Sequence, residues 1–438
     1  MMDVLCSKIT IGNADPSNPM KITNGIEITE VHRLEINESY KKLIGTAKVS
    51  FPKGTVCRST IIGTITLEGK DASRITTEVM HDGVIIEKRS TQQLLDETTF
   101  KVGQRINIKL GYNGILKNMF DGYITGYNSD SMLEIQCENM AYKLKLKQAP
   151  HFETPVKGTT VNEVLEGKYN ILKDTGFKIH SDTKKCEIHI GKVKVTDNFT
   201  VADILSEWSK YKVYCFLKYD ANDEGDMPAI AVGRPYSSSK AQPVFPEDES
   251  TGPYRIIFNE HVAQSDLKIV KTDPKFLAVT GKALGTDEKF FEVTIRLNPE
   301  YDPTVTGSKQ YQTVNATQIS KKTHKVTGNT TAAGAATKTK VDLSTYTIAP
   351  YMSPHIGITS DQLVEETTEY FRNYNLNGIT GNVTIFGDFG LPPAVQVELA
   401  DNRNPSKNGV YLVEEVTTNF GIGGYRQILK IPYKLKST

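Results

Sequence analysis

Residues able to do chemistry are few in this sequence, and they are scattered. Cys186 and His189 stand three apart, as zinc ligands can, but no second Cys/His pair lies within zinc-site distance. Alternating strand residues account for that spacing equally well. His32, His81 and His261 neighbour the acids Glu30, Asp82 and Glu260. Adjacency in sequence sets no proton-transfer geometry, so these read as solvated charges. Asp121, in Phe120-Asp121-Gly122, is expected to face solvent or to satisfy turn amides. Trp208, the single tryptophan, lies on the apolar face of a helical pattern and is expected in a core rather than on a sugar-binding platform. There is no Gly-x-x-x-x-Gly-Lys-Ser/Thr phosphate loop, no Gly-x-Gly-x-x-Gly after a strand, and no Gly-x-Ser-x-Gly elbow. The sequence therefore assigns no catalytic, cofactor-binding or metal-binding residue, and no enzyme activity is expected.

The elements that would have to position any site are mostly strands. Between Phe100 and Leu146 three runs alternate apolar and polar residues: Ile106, Ile108, Leu110; Phe120 with Ile124; and Leu133, Ile135, Cys137. Period-two alternation marks a strand with one buried face. Gly111 to Asn118 is expected to supply the first turn and Asn128-Ser129-Asp130-Ser131 the second, giving an antiparallel meander that ends at Asn139–Leu144. Strand pairs are also expected over 3–52, through Ile26 and Ile28, Leu34 and Ile36, then Ala47, Val49 and Phe51. Residues 55–95 read as an insertion or extended hairpin, with strand-like pieces at 61–67 and 84–87.

After Pro150 the period changes. Thr160 with Glu163, and Thr200 with Asp203, are capping boxes. The first opens a helical face of Val161, Val164, Leu165, Tyr169 and Leu172, stopped at Gly176. The second opens a face of Val201, Ile204, Leu205, Trp208 and Tyr211. Strands are expected at 177–180, 187–195, 213–219 and 229–232. A Ser/Pro/acid linker fills 237–253, and strands resume from 254 to 297. A polar stretch around 298–345, too poor in apolar residues to bury a core, is expected to be a long mobile loop. A helix over 360–374 and four closing strands complete the chain. The expected division is 1–150, 151–245 and 254–438.

Composition sets limits on function. The 438 residues suffice for about three domains at ~150 residues each. Fifty-two basic against fifty-one acidic residues leave a net charge of +1, which argues against a dedicated nucleic-acid binder. Five scattered cysteines suggest synthesis in a reducing compartment rather than a disulfide framework. Neither a signal peptide nor an apolar run near ~20 residues is visible, so no membrane insertion is expected.

The strand motifs carry a resemblance. Phe100-x-x-Gly103 leading to Ile106-x-Ile108-x-x-Gly111-Tyr112, then Phe120-x-Gly122-Tyr123-Ile124, then Leu133-x-Ile135-x-Cys137-Glu138-Asn139-x-x-Tyr142-x-Leu144 is similar to the first barrel of tail-hub proteins from contractile phage baseplates, a fold shared with type VI secretion spikes. Thr46-Ala47-x-Val49-x-x-Pro52 resembles the strand before that meander. The tandem Thr160-x-x-Glu163-x-Leu165 and Thr200-x-x-Asp203-x-Leu205 resemble the family's inserted domain. Leu391-Pro392-Pro393 with Val395-Gln396-Val397 and Asn408–Val413 resembles the close of its second barrel, except that Pro393 and Ala394 replace the usual glycine.

The resemblance implies two similar β-barrels flanking a small α+β domain. It implies a baseplate hub, a homotrimeric pseudo-sixfold adaptor between a hexameric tail tube and a trimeric central spike. DNA or a tape protein would only pass through its channel, and other baseplate proteins would be its further partners. The location implied is a virion tail baseplate assembled in a bacterial host cytoplasm, phage- or prophage-encoded. The hub of a phage-derived injection device, or a carbohydrate-binding or -processing tail protein, are the alternatives.

Overall fold

A computed structural model of the chain describes residues 4–59, 78–81, 84–88, 92–95, 99–130, 132–155, 159–184, 189–190, 194–196, 198–211, 213–219, 227–233, 253–270, 277–284, 289–298, 311–320, 326–329, 343–356, 360–374, 378–432 and 434–436. The fold is mainly β, with antiparallel sheets dominating as the alternation predicts. The strand-like piece at 61–67 and all but Pro253 of the 237–253 linker lie outside the described residues.

Four strands open the chain: Leu5–Ala14 (β1), Ile22–Ile28 (β2), Arg33–Ser39 (β3) and Thr46–Phe51 (β4). The meander follows as Arg105–Tyr112 (β5), Ile115–Asn128 (β6) and Leu133–Asn139 (β7). They lie side by side in the order β3-β4-β7-β6-β5-β1-β2. Ile9, Leu34, Val49, Ile106, Ile124 and Ile135 are all buried on one core face. Each such burial is worth about 1.5–3 kcal/mol, and a one-residue slip would expose the whole set, which pins the register.

The first turn is shorter than Gly111–Asn118. Asn113 and Gly114 alone make it, both in the left-handed region at φ 52° and 84°, the two-residue hairpin that Asn-Gly favours. Residues from Ile115 onward are therefore strand, with Phe120 opposite Ile108. Alternation is weak there because the hairpin tip stands in solvent. The third strand stops at Asn139, whose Oδ1 accepts the Ala141 N–H at 3.1 Å. Tyr142–Leu146 is a short helix rather than more strand.

The same pairing order recurs at the far end of the chain. Its strands are Tyr254–Ile257 (β8), Val262–Ser265 (β9), Lys268–Val270 (β10), Gly378–Phe386 (β11), Gln396–Ala400 (β12), Gly409–Leu412 (β13), Glu415–Gly421 (β14) and Gly424–Ile431 (β15). Both β9 and β10 run along β11, and β13 and β14 are two halves of one extended segment. The order across this unit is β9/β10-β11-β15-β14/β13-β12-β8.

The registers coincide residue by residue. Asn107 faces Asp121 and Ile106 faces Gly122, as Glu398 faces Val410 and Val397 faces Tyr411. Ile124 exchanges backbone bonds with Gly103 and Gln104, as Val413 does with Ala394 and Val395. One residue later each long strand breaks its register: β6 bulges against β7 at Thr125, and β13 gives way to β14 at Glu414. Tyr127 then faces Ile135, and Val416 faces Leu429. One edge differs: β8 is parallel to β12, whereas β1 is antiparallel to β5.

By this equivalence Ala394 stands where the first unit has Gly103. Gly103 has φ 88° and its counterpart Ala394 has φ 65°. Ala394 therefore takes up the left-handed conformation itself, at about 1–2 kcal/mol. Gly103→Ala should then cost a similar ~1–2 kcal/mol in urea unfolding and keep the fold, because the new methyl meets no atom within 4 Å. Failure to fold would mean that the two turns are not equivalent.

The two units share a ladder. Strand β3 pairs with β14 from Ser39 opposite Glu415 to Arg33 opposite Gly421. Fourteen strands among the described residues thereby form one sheet, which extends past β2 to Val56–Ser59 and Gln92–Leu94. Among the described residues, Glu78–His81 and Val84–Lys88 pair only with each other.

Between the units lies the mixed segment. Both capping boxes form: the Glu163 and Asp203 N–H groups each donate to the threonine Oγ1 three residues earlier at 3.2 Å, and each acid accepts in return. The first helix is only Val161–Leu165. Beyond it the chain unwinds, with Ile171 and Leu172 donating to the Val164 and Leu165 carbonyls seven residues back. Leu172 still reaches the core by that wider loop. The strand expected at 177–180 is a single bridge from Ile179 to Ile230. Trp208 is buried in the core that follows helix Val201–Glu207.

Within 298–345, where a loop is expected, Tyr311–Ser320 is a strand paired along its length with Lys289–Leu297. Its threonines and valine suit a pleated surface, but its polarity hides the period from a composition reading. It belongs to a five-stranded sheet under helix Ser360–Tyr374, where Tyr311 meets Phe371 edge-on at 5.3 Å.

Candidate functional site

The residues singled out for chemistry do not converge. His189 sits in a two-residue strand opposite Thr160, and Cys186 lies outside the described residues, as does Asp82. His81 ends a hairpin strand far in sequence from the others. His32 leads into β3, its N–H donating to the Ser50 carbonyl at 3.0 Å, while Glu30 is exposed. His261 closes a helical turn, its Nδ1 accepting the Ile257 N–H at 3.0 Å, and its Nε2 lies 4.0 Å from Glu260. Among the described residues no group of three or more His, Cys, Asp or Glu could hold a metal ion. Cys6, Cys57, Cys137 and Cys215 are free thiols, and burial pushes Cys137 and Cys215 well above the usual thiol range.

Asp121 is the exception, and it neither faces solvent nor caps a turn. It sits mid-strand in β6, buried, beside Arg105, whose exposure is 0%. The Arg105 guanidinium donates to Asp121 Oδ1 at 3.1 Å, to the Gly122 carbonyl at 2.7 Å and to the Pro19 carbonyl at 2.9 Å. Asn107 also donates to Oδ1, at 3.0 Å. Asn118 at 2.5 Å and the Tyr219 hydroxyl at 3.4 Å donate to Oδ2. Four donors thus occupy the acceptor sites of one carboxylate. The cluster fastens β5, β6 and the mixed segment to one another.

It borders a cavity of about 370 Å³ where the three parts of the chain meet. Strand β3 supplies Glu38, the mixed segment supplies Phe216 to Tyr219, and the C-terminal unit supplies Leu391 to Val395. Glu38 is half-buried, and burial first, then the Asp121 charge, raises its carboxyl to about 7. The same two effects lift Tyr219 well above the usual phenol range.

A second cluster sits on the ladder between units. Glu414, between β13 and β14, accepts Lys41 and, at 2.8 Å, Lys430. Burial would raise its pKa, but the two ammonium groups outweigh that and hold it below the ordinary carboxylate range. Its own carbonyl accepts the Tyr40 N–H and the Ser39 hydroxyl of β3. Lys117 adds a third tie, donating to the Asp388 and Phe389 carbonyls at 2.6 and 3.0 Å.

Sequence reasoning missed Arg105, Glu38 and Glu414. A signal for Arg105 was present: with the turn placed at Asn113-Gly114, Asn107 falls opposite Asp121 and Arg105 falls on the same face of β5. Nothing local marks Glu38 or Glu414, because each draws part of its surroundings from a distant stretch of the chain: Asp121 acts on Glu38, and Lys41 on Glu414.

No protein-family model matches the chain, and no curated protein matches it by sequence. Its structural neighbours are prophage tail proteins and spike proteins of the VgrG type. A 43 kDa tail protein of prophage MuSo2 from Shewanella oneidensis is 9% identical over 97% of this chain and 98% of that one, with a TM-score of 0.48. A tail protein from Neisseria meningitidis MC58 is 12% identical over 97% and 96%, with a TM-score of 0.49. A Francisella PdpA–VgrG complex is 11% identical over 98% of this chain and 58% of that one, with a TM-score of 0.47.

Proposed function

We propose that this chain is a structural tail protein, a baseplate hub that adapts a sixfold tube to a threefold spike. The observation that carries this reading is internal. Six strand positions recur in the same order at the two ends of the chain, five of them with the same strand direction, and the two units are welded edge to edge by β3 and β14. One chain with two near-equivalent units turns three copies into six docking surfaces, which is the economical way to match unequal symmetries. The sequence resemblance to contractile-tail hubs points the same way. The polar ties suit a load-bearing part, since Glu414 with Lys41, and Lys117 with the Asp388 and Phe389 carbonyls, hold the units together.

Mixed with the tube and spike proteins of the same tail, the chain is expected to form three-copy rings with a sixfold-like outline in electron micrographs. A chain that stays monomeric with both partners present overturns the adaptor reading. A hub channel must also release a polyanionic cargo. Each lysine or arginine on a phosphate strengthens binding and makes it salt-dependent, and the net charge here is +1. Fluorescence anisotropy should accordingly detect negligible duplex DNA binding at physiological salt. Tight, salt-sensitive binding would rule out a passive conduit.

A further inference from the structure

The buried acids Asp121, Glu414 and Asp401 are each matched by a cation. Asp121 meets Arg105 at 3.1 Å, Glu414 meets Lys430 at 2.8 Å, and Asp401 lies 3.8 Å from Lys407 while accepting the Arg403 and Asn404 N–H groups. Glu38 differs. Among the described residues no ammonium or guanidinium group pairs with its carboxyl and no donor bonds to it; the charge acting on it is the like charge of Asp121. It is half-buried, and the space it lines is the cavity of about 370 Å³.

Three hydrophobic cores end at that cavity. Phe120 comes from the core of the first unit, Leu43 and Phe216 from that of the mixed segment, and Leu391 from that of the C-terminal unit. The volume falls within the ~300–1,000 Å³ of small-molecule sites, which combine mostly apolar walls with a few convergent polar groups. Asp121, Tyr219, Lys42 and Lys218 also line the wall, but neither lysine forms an ion pair with Glu38. Arg105 is wholly buried against Asp121 and two carbonyls. An ionised carboxyl placed like Glu38 destabilises a fold unless a cation enters with it. A guanidinium or ammonium head that brings its own apolar stem suits both the acid and the walls.

We propose that this cavity binds an organic cation, with its guanidinium or ammonium head on the Glu38 carboxylate and a short apolar stem against Phe120, Phe216 and Leu391. A bare metal ion is the poorer occupant, since among the described residues no group of three or more His, Cys, Asp or Glu could hold one. The same head occurs on free amines and on side chains of a protein partner, and the test separates the two. Glu38 must lose its proton to pair with the cation, and its carboxyl holds that proton up to about 7. Roughly a tenth of the sites are then ionised at pH 6 and roughly nine-tenths at pH 8, so affinity should rise about tenfold between those values and level off above them.

Isothermal titration calorimetry of the full chain at pH 8 tests the site. n-Butylguanidine, charged throughout this pH range, should show saturable one-to-one binding. n-Butylurea has the same shape without the charge and should bind about tenfold or more weakly, the loss expected when a bond between charged groups is removed. Glu38→Gln should lose a similar factor and the pH dependence with it, and its urea unfolding checks that the variant is folded. Tighter binding of Nα-acetyl-arginine amide than of n-butylguanidine assigns the head to a partner's arginine; the reverse assigns a free amine. Absence of saturable binding, equal binding of n-butylurea, affinity flat from pH 6 to 8, or unchanged binding by Glu38→Gln overturns the site. The cavity lies within one chain, so ring formation with tube and spike can fail while the site stands, and the site can fail while the rings form.

Discussion

Arg105→Ala is expected to lower the unfolding free energy by about 3–5 kcal/mol. The guanidinium is wholly buried and neutralises Asp121 while filling the Gly122 and Pro19 carbonyls. Its removal leaves the buried carboxylate without a counter-charge, held only by the neutral donors Asn107, Asn118 and Tyr219, and takes a donor from two carbonyls. Leaving one partner of a buried pair costs far more than the pair contributes, because desolvation is then unopposed. Arg105→Leu combined with Asp121→Leu should therefore be less damaging than Arg105→Ala alone. Urea unfolding of the three proteins decides the matter. A loss under about 1 kcal/mol for the single variant would mean that water reaches the cluster and screens it.

Glu38→Gln is expected to stabilise the protein at pH 8 by a few kcal/mol at most, and to change little at pH 4.5 or below. Inside the fold the carboxyl holds its proton up to about pH 7, whereas in the unfolded chain it releases it near its ordinary 4.5. The folded state thus binds the extra proton between those values, and stability falls as pH rises through that window. Above pH 7 the full cost is present, about 3 kcal/mol for a shift of this size. Glutamine removes the charge and so removes the slope. Glu414 works with the opposite sign: its depressed pKa contributes stability above the ordinary carboxylate range, which is lost as the medium is acidified. Unfolding midpoints between pH 4.5 and 8 should flatten for Glu38→Gln; an unchanged slope would place the titrating group elsewhere.

Much of the fold was legible in the sequence because it is local. Period-two alternation located β3, β4, β5, β7 and the closing strands, since each strand must hide one face whatever it pairs with. The capping boxes at Thr160 and Thr200 were readable for the same reason: the bonds they make span three residues. Errors arose where local composition and local structure part company. Polar Tyr311–Ser320 is a strand because its neighbours supply the ladder, and the helix at Val161 ends early because the following loop bonds back to it.

What only the tertiary structure decided is which distant residues share an environment. Asp121 became a buried anchor because β5 and the mixed segment bring Arg105, Asn107 and Tyr219 to it. Glu38 acquired its unusual affinity for a proton from a cavity walled by three separate parts of the chain. The repeat shows a similar division. The two halves share little sequence, so their common register became visible only through backbone hydrogen bonds, which are formed by every residue type alike. Side chains told the strands where to hide a face; the backbone ladder determined which edges are paired and which remain open.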